Sequence, residues 1–252
     1  MCRYFIYLSY SGTAYCGWQR QPNGISIQQM VEEALATITQ RTVPIVGAGR
    51  TDAGVHALTM PAHFDCEQPI EDLELLAHKF NKLLPKDIAV NKILPVQPTA
   101  HARFDACERV YQYVVTGVKN PFNYERVCFM SLKDIDFALM NEAAATLLEY
   151  SDFTSFSKLH TDVKTNNCHI TKALWSEKAD SEWVFTIVAD RFLRNMVRAI
   201  VGTLFEVGRG RRSVNDFRQL IEAKDRRLAG TSADACGLTL CDVVYGNEIF
   251  MR

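Results

Sequence analysis

One ten-residue stretch, Gly47-Ala48-Gly49-Arg50-Thr51-Asp52-Ala53-Gly54-Val55-His56, sets a carboxylate two residues from a guanidinium in a glycine-punctuated loop. Gly47, Gly49 and Gly54 are expected to give the backbone freedom that residues with a Cβ lack. A carboxylate held on a tight turn beside Arg50 is expected to stay ionised, because a neighbouring cation favours the charged form. Such a group can act as a nucleophile or as a general base. The same residue types also serve plain structure, since aspartate in a glycine-rich turn commonly bonds its own backbone. A phosphate-cradling loop is a third reading. It is weak, because neither the Gly-x-x-x-x-Gly-Lys-Ser/Thr nor the Gly-x-Gly-x-x-Gly spacing is present.

The loop needs elements to hold it. Val43-Pro44-Ile45-Val46 before it and Val55 to Phe64 after it are apolar, β-branched and strand-like. Residues 2–10 read as a strand apolar on both faces and therefore buried. Residues 26–40 read as a helix, with Ser26 and Gln29 at capping-box spacing and Ile27, Met30, Val31, Ala34, Leu35 and Ile38 as its apolar stripe. Residues 70–84 read as a second helix closed by Pro85, and 88–95 as a further strand. The order β-α-β-β-α-β is that of a ferredoxin-like sheet. A similar order follows: strand 110–118, helix 134–149, a hairpin of 169–179 and 182–190 turning at Ala179-Asp180-Ser181, helices 192–207 and 214–224, and strand 238–245. The expected class is α+β, with two ferredoxin-like subdomains over 1–100 and 101–252. A central cleft between them is a favoured ligand position.

Composition narrows the classes. The 252 residues are 48% hydrophobic and 23% charged, which excludes a disordered chain, and no apolar run approaches membrane-spanning length. The opening Met1-Cys2-Arg3-Tyr4-Phe5 lacks the pattern of a secretory signal, so a cytoplasmic location is expected. Eight cysteines without a Cys-x-x-Cys pair are expected to be free thiols, with no metal site. A net charge of -1 argues against indiscriminate nucleic-acid coating. Residues 191–227 nevertheless carry ten basic residues against four acids, which suits a specific anionic partner or simply a solvated helix face. Arg191, Arg194 and Arg198 are spaced to share one helical face. Tyr111 and Tyr113 alternate along a strand and share a sheet face, either as core or as a stacking surface for a base.

Five segments, taken in order, resemble one family. They are Tyr10-Ser11-Gly12-Thr13-Ala14-Tyr15-Cys16-Gly17-Trp18-Gln19-Arg20-Gln21, the Gly49–Ala57 loop, His101-Ala102-Arg103-Phe104 leading into Arg109-Val110-Tyr111-Gln112-Tyr113, Phe192-Leu193-Arg194-Asn195-Met196-Val197-Arg198, and Gly237-Leu238-Thr239-Leu240 through Val244-Tyr245. Together they resemble the tRNA pseudouridine synthase A (TruA-type) family. Asp234 and Ala100 depart from the family pattern, where a proline and an aromatic are usual.

The resemblance implies the pseudouridine synthase fold and conversion of uridine to pseudouridine at positions 38, 39 and 40 of the tRNA anticodon stem-loop. It implies Asp52 as the catalytic aspartate, Tyr111 as the tyrosine packed on the target base, Arg198 as the arginine paired with the aspartate, and Arg50 as a residue that displaces the base. It further implies a homodimer, tRNA as partner, and neither metal nor organic cofactor. Two competing expectations are an RNA-binding scaffold without activity, which has no use for Arg50 and Asp52, and a phosphate-loop transferase, which requires magnesium.

Overall fold

A computed structural model describes residues 1–158, 165–178 and 181–251. The chain forms two compact units, Met1–Cys107 with Leu240–Arg252, and Glu108–Thr239. The division expected at residue 100 assigns 240–252 to the second part; in the structure these residues lie in the first unit.

In the first unit, β1 (Cys2–Tyr10) lies between β3 (His56–Cys66) and β4 (Ile88–Val96), antiparallel to both. That central position explains why β1 is apolar on both faces: Tyr4, Phe5, Ile6 and Leu8 are all buried. The sheet order is β4-β1-β3-β9, with β9 spanning Leu238–Tyr245, while β2 is only Val46–Gly47 and pairs with β3. Helix α1 (Ile27–Thr39) starts at Ser26, whose hydroxyl accepts from Gln29 N at 3.2 Å. Only that half of the expected capping box forms, because the Gln29 side chain turns to Glu33 instead. Ile27, Val31, Ala34 and Leu35 form its buried stripe, and Met30 and Ile38 lie at the partly exposed margin. Helix α2 (Leu73–Leu83) is capped by Asp72 and packs on β4. Its Asn81 side chain bonds both Val90 N (2.7 Å) and Val90 O (2.8 Å), satisfying peptide groups of the edge strand β4.

The second unit holds β5 (Ala106–Thr116), β8 (Glu182–Ala189) and β7 (Ile170–Lys178) in the order β5-β8-β7, with β6 (Cys128–Phe129) parallel to β5. Strand β5 begins four residues earlier than the apolar pattern indicates. The hairpin joins β7 and β8 as expected, although Ala179 and Asp180 of its turn lie outside the described residues. Helix α3 (Phe137–Thr146) is shorter than the expected 134–149: Asp134 takes φ 64° before it, and Leu147–Glu149 tightens into a 3-10 turn after it. Asn141 on α3 bonds Trp175 N and O on the edge strand β7 at 2.7 and 3.0 Å. Trp175 sits among Phe137, Phe185 and Phe205, the aromatic core of this unit. The remaining helices are α4 (Met196–Gly208) and α5 (Val214–Glu222). The fold is mixed α+β, and all eight cysteines are free thiols.

One buried group makes the first unit acid-sensitive. His63 on β3 lies opposite Phe5, and its Nδ1 accepts from Ala102 N at 3.1 Å. Burial, with Arg3 and His101 adding to it and Asp65 and Asp105 opposing, pushes its pKa from 6.5 down to about 4. The unfolded chain therefore binds a proton that the folded one refuses. Stability is complete above pH 6.5 and falls as the pH drops towards about 4. Urea unfolding at about pH 7 and about pH 4.5 should reveal a loss of up to about 3 kcal/mol, from ~1.4 kcal/mol per unit of pKa. His63→Asn, which keeps an acceptor for Ala102 N, should flatten most of that dependence. The carboxylate of Asp65, held below its ordinary range chiefly by its hydrogen bonds to Arg3, acts at lower pH still.

Candidate active site

The loop between β2 and β3 is fastened from below. Ala48 N donates to Pro61 O at 2.8 Å, Trp18 N to Thr51 O at 3.1 Å, and the Tyr10 and Thr51 hydroxyls lie 2.9 Å apart. Thr51 is buried, so these bonds fix the residue directly before Asp52. Val55 N donates to Asp52 O at 3.2 Å and closes the turn, with Gly54 at φ 77°. Asp52 is half-buried, which keeps a carboxylate on a fixed backbone within reach of solvent.

The glycines behave differently from the expectation. Of Gly47, Gly49 and Gly54, only Gly54 has a left-handed backbone. Gly47 is needed for space, because the Trp18 ring lies against it, and a Cβ at Gly49 would meet nothing within 4 Å. The decisive glycines lie outside the loop. Gly17 has φ 103° and its Cα faces Thr51 O, while Gly12 lies against Val55 O so closely that a Cβ would overlap it. Both belong to the Tyr10–Gln21 segment, whose structural purpose the sequence reading did not identify. Two glycines five residues apart in one short loop were the available signal.

Arg50 corrects a second expectation. It is exposed and makes no hydrogen bond or ion pair among the described residues, so sequence proximity to Asp52 does not become a salt bridge. An exposed arginine gains little from a carboxylate and loses side-chain entropy by holding it. An arginine left in solvent is instead available to a ligand.

Tyr111 and Arg198 belong to the second unit. Tyr111, on β5 opposite Ile187, is half-buried and meets Phe192 edge-on, with ring centroids 5.2 Å apart. Tyr113 is fully buried against Phe205 and Gly237, so the pair divides: Tyr113 is core, whereas Tyr111 is only half-buried. Helix α4 begins at Met196 rather than 192, after Asn195 at φ 65°. Arg191 and Arg194 therefore precede the helix, and the expected three-arginine face does not form. The left-handed Asn195 breaks the 3.6-residue period there. Arg198 alone of the three is helical. Its Nε donates to Ala233 O at 2.7 Å, and Ala233 N donates back to Arg198 O at 2.9 Å. The strap containing Ala233 is held by Asn195 to Ser232 Oγ (2.6 Å) and Gly230 N to Thr203 Oγ1 (3.0 Å), and Gly202 lets it lie directly on the helix. The guanidinium of Arg198 is thus held by the Ala233 carbonyl, and the strap that carries this carbonyl is itself bonded to the Arg198 main chain.

Much of the basic segment is balanced internally. Arg212 pairs with Glu206, Arg218 with Glu149, Lys224 with Asp152 and Arg227 with Asp225. The local excess of charge consequently overstates what faces a partner. Among the described residues, no group of three or more His, Cys, Asp or Glu could hold a metal ion. No helix among them is long and apolar enough to cross a membrane.

The first unit thus carries a turn-borne carboxylate, and the second carries a half-buried tyrosine and an arginine bonded to a backbone carbonyl. A family model described as tRNA pseudouridine synthase matches residues 6–105 and 143–246, and the chain belongs to that family. It is an isomerase acting on uridine in tRNA. Similar proteins named tRNA pseudouridine synthase A include one from Parabacteroides distasonis, 64% identical over 250 residues, spanning 99% of this chain and 98% of the relative. One from Bacteroides fragilis is 59% identical and spans 98% of each chain. A more distant one, from an Exiguobacterium species, is 39% identical over 97% of this chain and 98% of its own length.

Proposed function

We propose that this enzyme converts uridine to pseudouridine at positions 38, 39 and 40 of the tRNA anticodon stem-loop, with Asp52 as its catalytic group. The observation that carries this reading is the buttressed turn that holds Asp52 half-buried, with Thr51 tied to Tyr10 and Trp18 beside it. Tyr111 is the ring that packs on the target base, Arg198 the cation that serves the carboxylate, and Arg50 the residue that displaces the base. The enzyme works as a homodimer in the cytoplasm, on tRNA and without metal or organic cofactor. Each unit is a ferredoxin-like half of a pseudouridine synthase fold; the position of β1 between β3 and β4 supports this for the first.

The chemistry suits these residue types. The N1–C1′ bond of uridine breaks, a C5–C1′ bond forms, C5 loses one proton to solvent and N1 gains one from it. No electrons are gained or lost, so side chains can carry every step. The base must first leave its stack, at a few kcal/mol, and a side chain filling the gap offsets part of that. A carboxylate beside the ribose then serves attack at C1′, attack at C6, or removal of the 2′-proton to give a glycal. A ring such as Tyr111 holds the detached uracil while it turns.

The test is direct. Unmodified tRNA transcript incubated with the enzyme, then treated with carbodiimide and read by primer extension, should show new stops at positions 38 to 40. Stops elsewhere, or none, would overturn the site assignment.

A further inference from the structure

The turn before β5 is tightly hydrogen-bonded and presents an aromatic ring to solvent. Residues 101–105 form a compact loop. His101 N donates to Asp105 Oδ2 at 2.8 Å, and Asp105 N donates to His101 O at 3.1 Å. His101 Nδ1 accepts from both Arg103 N (3.1 Å) and Phe104 N (3.3 Å). A nitrogen that accepts two N–H groups carries no proton, and burial with the nearby Arg3 lowers the pKa of this ring accordingly. Beneath it, His101 stacks edge-on against the buried His63, with ring centroids 4.7 Å apart.

This rigid turn holds a large apolar ring out in water. Phe104 is 73% exposed, and its ring is backed by the His101 imidazole at 4.2 Å. The Arg103 guanidinium stands 5.7 Å from the Phe104 ring centre and is itself exposed. Single exposed apolar residues are ordinary on proteins. This one differs because four backbone hydrogen bonds and a ring stack fix it, so little conformational entropy remains to be lost on binding. No other large apolar side chain between residues 97 and 107 is exposed. Along this loop the exposed large apolar surface is one ring, less than the contiguous patch a protein interface uses. A ring with a guanidinium beside it matches one unstacked nucleobase and its phosphate.

We infer that Phe104, backed by His101 and flanked by Arg103, is a stacking platform for an unpaired base of the tRNA substrate, distinct from Tyr111. The inference rests on the tRNA reading above. It deepens that reading by naming a positioning contact outside the reacting nucleoside.

Binding of tRNA at fixed ionic strength, measured for the wild type, Phe104→Ala and Phe104→Trp, tests it. Phe104→Ala should weaken tRNA binding about ten-fold or more, the effect of losing one base–aromatic stack. The deficit should fall mainly in KM, with Tm unchanged because the ring is exposed. Phe104→Trp should restore affinity, and its added fluorescence should be quenched by tRNA. Wild-type affinity in the alanine variant, or an added indole blind to tRNA, overturns the platform. A change of sedimentation with affinity intact also overturns it, by making the ring a protein contact. Conversion of tRNA by the wild type is scored separately. A wild type that binds tRNA but leaves uridine unchanged sinks the proposed reaction, while the binding series still decides the platform.

Discussion

Asp52→Asn should lower pseudouridine formation by roughly 10³-fold or more, with tRNA binding kept within a few-fold of the wild type. The size follows from the role. A positioned acid–base group contributes about 10²–10⁴-fold, and loss of a nucleophile costs at least as much. The separation of turnover from binding follows from where affinity arises. RNA is held largely through phosphates and stacked bases, and one carboxylate adds nothing to either. Asparagine preserves the shape of the side chain and its capacity to accept a hydrogen bond. Since Asp52 O closes the turn through the backbone, the loop geometry should survive the substitution. Carbodiimide mapping after single-turnover incubation, with filter binding alongside, reads both quantities. Residual conversion within ten-fold of the wild type would remove Asp52 from the chemistry. A parallel collapse of binding would instead make it a structural residue of the loop.

The parts of the fold that were legible in the sequence are those set by local periodicity. The strand 238–245 and the buried stripe of α1 stand where hydrophobic spacing places them. The start of α4 was illegible because Phe192 and Leu193 continue an apolar pattern that the backbone abandons at Asn195. At that boundary Asn195 is left-handed and its side chain bonds Ser232 Oγ, a contact distant in sequence. Strand β5 starts early for a related reason. Its first residues, Ala106-Cys107-Glu108-Arg109, are not strand formers by type and gain their conformation from sheet pairing such as Arg109 opposite Ala189. At the candidate site, residue identity was readable, and support was not. The sequence displays Arg50 beside Asp52 and suggests an ion pair, whereas the structure leaves Arg50 in solvent and supports the loop from Gly12, Gly17 and Trp18. Contacts between residues more than thirty positions apart leave no periodic trace.

That support yields the second large effect. Gly17→Ala should destabilise the enzyme by about 2–4 kcal/mol and lower its turnover, whereas Gly49→Ala should change neither measurably. At φ 103°, an L side chain is strained whatever space surrounds it, and here the Cβ would also run into Thr51 O and crowd the Asp52 peptide. Relief requires the Thr51 backbone to retreat, which weakens its bond from Trp18 N and moves Asp52 with it. A displacement of about 1 Å at a reacting group can cost ~10²-fold in rate. Gly49 sits in the very loop that holds Asp52, yet its Cβ would enter open space and its backbone is not left-handed. Thermal unfolding and single-turnover conversion of the two variants therefore set a glycine outside the loop against one inside it. Equal tolerance of both would mean that the Tyr10–Gln21 segment does not hold the carboxylate in place. Greater damage from Gly49→Ala would place the constraint in the loop's own backbone.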